Sequence, residues 1–137
     1  MKLRKSVLII SLVVLVALVV AGIYFLGPRK VIDIASDFSL TRVLYKGEDI
    51  TNLIDEKEIA DLLNNYDCKR TFKNYFPYQT TDAVVEIDGR INQKPVHILL
   101  GKFFISYESA DKGAYEIIDG NKLLDEMTIK LDKVIKN

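Results

Sequence analysis

The hydrophobic pattern divides the chain in two. From Ser6 to Leu26, SVLIISLVVLVALVVAGIYFL, 21 residues run without a charge or a proline. As a helix rising ~1.5 Å per residue, the run is roughly 31 Å long, which matches the ~30 Å hydrocarbon core of a bilayer. It is apolar on every side, and the rest of the chain is too short to bury it, so it is predicted to span a membrane. Tyr24 and Phe25 sit where aromatic side chains favour the interface, and Gly27-Pro28 breaks the helix. A cleaved signal peptide is the competing reading, with Val19-Val20-Ala21 as its cleavage site. The apolar run, however, continues well past the roughly 7–15 residues of a signal core. An uncleaved anchor fits it better, giving residues 1–30 as a membrane segment with basic flanks and residues 31–137 as one further domain.

That domain alternates between strand and helix periods. Val31 to Asp37 reads as a short strand or stem, and Leu40 to Tyr45 as a strand. Lys46 to Asp49 is then a turn into a short return at Ile50-Thr51. Asp55 with Glu58 makes a capping-box pattern, flanked by Ile54 and Ile59 as a hydrophobic staple. Ile59, Leu62, Leu63 and Tyr66 follow on one helical face. Cys68–Phe72, Ala83–Ile87, Pro95–Leu100, Phe103–Glu108 and Ala114–Ile118 have strand composition, with Asp88-Gly89 expected as a turn or bulge. The last four, joined by short turns, predict an antiparallel meander. Period-2 alternation directs Val85, Ile87, Val96, Ile98, Leu100, Ile105 and Tyr107 to the core. It leaves Val84, Leu99 and Phe104 on the opposite face. Asn121 is expected to cap a closing helix in which Leu124, Met127, Leu131 and Val134 recur. The class is α+β: a transmembrane helix, then a small antiparallel sheet packed with two helices.

Charge refines this picture. The 19 basic and 19 acidic residues cancel, but Lys2, Arg4, Lys5, Arg29 and Lys30 all flank the apolar run. The surplus before the helix orients the N-terminus to the cytoplasm and residues 31–137 outside. What remains is an acidic domain, which argues against nucleic acid as a partner and against attraction to an anionic lipid surface. Cys68 is the single cysteine, which excludes an internal disulfide, a multi-cysteine zinc site and a lipidated cysteine after the anchor. It reads as a buried small apolar side chain.

Catalytic signals are weak. His97 is the single histidine and is expected on the strand face away from Val96 and Ile98. The chain has no G-x-S-x-G, H-x-x-x-H, C-x-x-C or calcium-loop pattern. No cofactor or metal is predicted, and no enzymatic role. The one unusual stretch is aromatic: Phe72, Tyr75, Phe76 and Tyr78, extended by Phe104 on the second sheet face. Those rings either fold back over the sheet or form a partner-binding surface, since such side chains anchor interfaces.

Asp49-Ile50-Thr51 through Leu63, His97-Ile98-Leu99-Leu100-Gly101, and Tyr115-Glu116-Ile117 with Leu123-Leu124 together set a layout. In that layout the chain resembles small membrane-anchored extracytoplasmic domains of unknown function from Gram-positive bacteria. The resemblance implies an anchored module outside the cell and carries no catalytic residues. The expected function is a single-pass, membrane-anchored module that binds a protein at the envelope. The alternatives are an immunity or inhibitor protein against an exported toxin, to which such proteins look broadly similar, and an envelope hydrolase acting through surface carboxylates.

Overall fold

The computed structural model describes residues 2–33, 36–73, 82–108 and 114–136, and the side chains of all of these except 2–5, 107 and 108. Helix α1 (Lys2–Leu26) contains the apolar run and ends at Gly27, whose amide still bonds to Ile23 O at 2.9 Å. The strands are β1 (Arg29–Lys30), β2 (Phe38–Tyr45), β3 (Glu48–Asp49), β4 (Asp67–Thr71), β5 (Ala83–Ile91), β6 (Lys94–Gly101), β7 (Phe104–Glu108) and β8 (Ala114–Ile117). They form one antiparallel sheet in the order β1-β4-β8-β7-β6-β5-β2-β3. Helices α2 (Glu56–Asn64) and α3 (Gly120–Ile135) complete the α+β fold.

Both short helices lie on one face of the sheet. Ile59 and Leu63 of α2 join Leu123, Met127 and Leu131 of α3 in a single core with Val43, Tyr45, Cys68, Val85, Ile87, Val96, Ile98, Leu100 and Ile117. The periodic apolar positions of the sequence drive this packing, at ~1.5–3 kcal/mol for each fully buried aliphatic side chain. Two polar links reinforce it: Tyr45 donates to Asp132 at 2.7 Å, and Lys130 pairs with Glu58 at 2.6 Å.

Several expected details shift. The first strand lies at Arg29–Lys30, before the expected Val31–Asp37, because Val31 and Ile32 leave the sheet to enter the core. The return after β2 is Glu48–Asp49 rather than Ile50-Thr51, since Lys46 and Gly47, both at positive φ, close a two-residue hairpin. Asp55 does cap α2, accepting from Lys57 N at 2.9 Å, but Glu58 reaches across to Lys130 instead of completing a capping box. Asp88-Gly89 lies inside β5 and is no turn, but the β2–β5 register slips opposite it between Leu40 and Arg42, as the bulge alternative expects. The chain reverses at Asn92-Gln93, with φ of 49° and 66°. Gly89 is needed there for space, because a Cβ would stand 2.7 Å from Ser39 O and 2.8 Å from the Phe38 ring. Helix α3 starts after Asp119, at φ 56°, and not at an Asn121 cap.

One correction affects the surface. Leu100 pairs directly with Phe104, and Leu99 with Ile105. Directly paired residues share a face, so Phe104 belongs with the core and Ile105 with Leu99 on the other side. The expected parity of β7 is therefore inverted. Tyr107 stands in register with His97. Val84 also packs against the core, where the β5–β6 register slips between Ala83 and Val85.

Candidate functional site

The helix-free face of the sheet carries the most organised polar group. Register places Arg42 opposite Asp88 and Asp88 opposite His97, on β2, β5 and β6. Alternation points all three away from the core formed by Val43, Ile87 and Ile98. Asp88 Oδ2 accepts from Arg42 Nε at 2.8 Å and Nη2 at 2.7 Å, and Asp88 Oδ1 meets His97 Nδ1. His97 and Asp88 are 23% and 26% exposed, so they are partly withdrawn from water but still reachable. The carboxylate thus fixes a guanidinium and an imidazole side by side. Next to this line Leu99 and Ile105 are almost fully buried, at 2% and 0%, with the Glu86 carboxylate buried beside Leu99.

Chemically, the line is a preformed charged surface. An oriented imidazole alone does not make a nucleophilic site. Among the described residues no group of three or more histidine, cysteine or acidic side chains is placed to hold a metal ion. His97 faces outward as its strand position predicts, whereas Asp88, expected in a turn or bulge, and Arg42 emerge as its partners only in the structure. Their outward parity on neighbouring strands was the available signal.

The aromatic candidates are not brought together among the described residues. Phe72 follows β4 and is 83% exposed. Phe104 is half-buried under the start of α3, where a Cβ on Gly120 would come within 2.2 Å of its Cγ. Tyr75, Phe76 and Tyr78 lie outside the described residues.

A cavity of about 340 Å³ opens between the end of α2 and the start of α3, lined by Asn65, Tyr66, Asp67, Ile118, Asp119, Lys122 and Glu126. The Tyr66 hydroxyl is closed off from solvent and makes no hydrogen bond of ordinary geometry. Burial first, then the facing Glu126 carboxylate, push its phenol up to about 12. At the other end of α3, the Tyr45 hydroxyl and then Lys46 hold Asp132 below the usual carboxylate range.

Helix α1 is the remaining feature. Ser6–Leu26 is long and apolar enough to cross a membrane, and none of it is buried. Sixteen large apolar side chains from Val7 to Leu26 are 52–82% exposed. No family model, curated protein or solved structure matches the chain.

Proposed function

We propose that this chain is a single-pass membrane protein, N-terminus in the cytoplasm and residues 31–137 outside, whose sheet domain binds another protein at the envelope. The observation that carries the reading is the bare surface of α1. At ~1.5 kcal/mol or more per side chain, its sixteen exposed apolar residues leave on the order of 20 kcal/mol of transfer free energy unrealised in water. A bilayer recovers that energy.

The Arg42–Asp88–His97 line supports the binding role. It is held rigid before any partner arrives, so little side-chain entropy remains to be lost on contact. Arginine is also among the residues enriched in interfaces.

Photo-cross-linking from the full chain in its native membrane tests the reading. A photoreactive residue at Arg90, beside the line, should yield one discrete adduct that Asp88→Ala suppresses. The same probe at Ile129, exposed on α3, should yield none. Equal adducts from both positions, or none from Arg90, would count against the proposed face.

A further inference from the structure

The anchor and the domain are not joined by a loose tether. Only Gly27 and Pro28 separate α1 from β1, and β1 is already an edge strand of the sheet. Arg29 pairs with Cys68 and Lys30 with Asp67. Val31 N then bonds to Tyr66 O at 3.0 Å, and Val31 and Ile32 are buried in the core. Lys30 Nζ meets Asp67 at 2.9 Å, and the Arg29 guanidinium lies 3.6 Å above the Tyr115 ring.

This pairing is antiparallel, so β4 runs back towards the helix, and the two elements are in contact. From Cys68 to Phe72 is four residues, about 13 Å of strand. From Arg29 back to Leu26 is three residues, at most roughly 11 Å of chain. Phe72 is thereby carried to about the depth of the last turn of α1. The headgroup layer begins at that depth and is ~5–7 Å thick.

The chemistry at this place differs from that of the whole domain. Arg29 and Lys30 pair with β4, which carries Lys69 and Arg70 and is followed by Lys73; the acidic residues paired in these registers, among the described residues, are Asp67 and Glu116. Asp67 is engaged by Lys30, and Glu116 lies 3.7 Å from Lys73. Phe72, 83% exposed, lies between Arg70 and Lys73 in the chain. Net acidity predicted repulsion from anionic lipid, yet among the described residues the local surplus here is positive.

Resting on the membrane-anchor reading, we propose that the domain docks on the bilayer that holds α1, with Phe72 in the headgroup layer and Arg29, Arg70 and Lys73 on anionic lipid phosphates. The exported sheet is then held in one orientation, with β1 and β4 upright from the membrane. An aromatic ring among cations suits that layer, which takes both apolar and charged groups.

The chain contains no tryptophan, so one introduced indole reports its own surroundings. The full chain is reconstituted into vesicles of mixed phosphatidylglycerol and phosphatidylcholine, some carrying nitroxide-labelled lipids. Probes are placed singly as Leu18→Trp within α1, Phe72→Trp, and Ile118→Trp at the far end of β8. Headgroup-level nitroxides should quench the Phe72→Trp probe at least threefold more than the Ile118→Trp probe. Adding Arg70→Glu and Lys73→Glu should remove most of that difference. If the Leu18→Trp probe is quenched by deep nitroxides while those at 72 and 118 are quenched alike, the domain stands off the membrane and docking is refuted. If the Leu18→Trp probe escapes quenching altogether, the anchor itself is refuted, and docking with it.

Discussion

The contact between α3 and β7 offers a sharp test of the packing, because two principles predict opposite signs for one substitution. Gly120 is the first residue of α3, and an ideal Cβ placed on it would lie 2.2 Å from Phe104 Cγ, 2.4 Å from its Cβ and 2.6 Å from its Cδ1. Carbon atoms prefer roughly 3.5–4.0 Å, so Phe104 would have to retreat by more than an ångström. Its Cβ is fixed to β7, whose backbone is paired on both sides, so the ring cannot simply swing aside. Gly120→Ala should therefore cost about 1–3 kcal/mol through overpacking. Helix propensity alone favours alanine by up to ~1 kcal/mol, and less at a first position. The net expectation is a loss of about 1–2 kcal/mol, or roughly 4–10 °C for a domain of this size. Thermal melts of the full chain in detergent, followed by circular dichroism in the aromatic region, measure it. Combining the change with Phe104→Ala should remove the clash, giving a coupling of at least ~1 kcal/mol. A neutral or stabilising Gly120→Ala, or strict additivity with Phe104→Ala, would refute the assigned contact.

Three further outcomes follow from the same structure. Tyr66→Phe should be neutral or stabilising by up to ~1 kcal/mol in denaturant unfolding, since it deletes a buried hydroxyl that has no hydrogen bond; a loss above ~1 kcal/mol would mean that the hydroxyl is bonded. Because the Tyr66 phenol is raised to about 12 in the folded state, its contribution is complete below pH ~10 and lost as pH climbs towards 12; Tyr66→Phe should flatten the stability profile in that window. Asp132 is lowered by the Tyr45 hydroxyl and then by Lys46, so its contribution is present above the ordinary carboxylate range and lost as pH falls through the depressed value; Tyr45→Phe should shift acid unfolding to higher pH.

The sequence exposed those parts of the fold that depend on local periodicity. Ile59, Leu63, Met127 and Leu131 repeat at helical spacing, and each is buried where that spacing places it. Val96, Ile98 and Leu100 alternate and all three are buried in the core, while Leu99 between them is buried on the other face. What stayed hidden depends on partners distant in the chain. Arg29 and Lys30 have no strand character of their own and become a strand because Asp67 and Cys68 pair with them. The parity of β7 turned on how many residues the hairpin at Gly101 to Phe103 consumes, and one residue of error exchanges the two faces. Glu58 has a local capping option and a distant lysine, and the lysine wins. Asp88 lies 46 positions from Arg42 and 9 from His97, so outward strand parity was the one local hint of the line and composition gave none. Its residues become neighbours only through the β2–β5 and β5–β6 registers.

Whether α1 crosses a membrane and holds the sheet domain on its outer side can be read from one exposed position. Lys133, exposed near the end of α3, is replaced by cysteine, and intact cells are treated with a membrane-impermeant maleimide. The native thiol of Cys68 is buried and should give little background. Full labelling without permeabilisation is expected, on a chain that stays in the membrane pellet through alkaline carbonate extraction. Labelling only after lysis would place the domain inside, and release by carbonate would show that α1 does not span the bilayer.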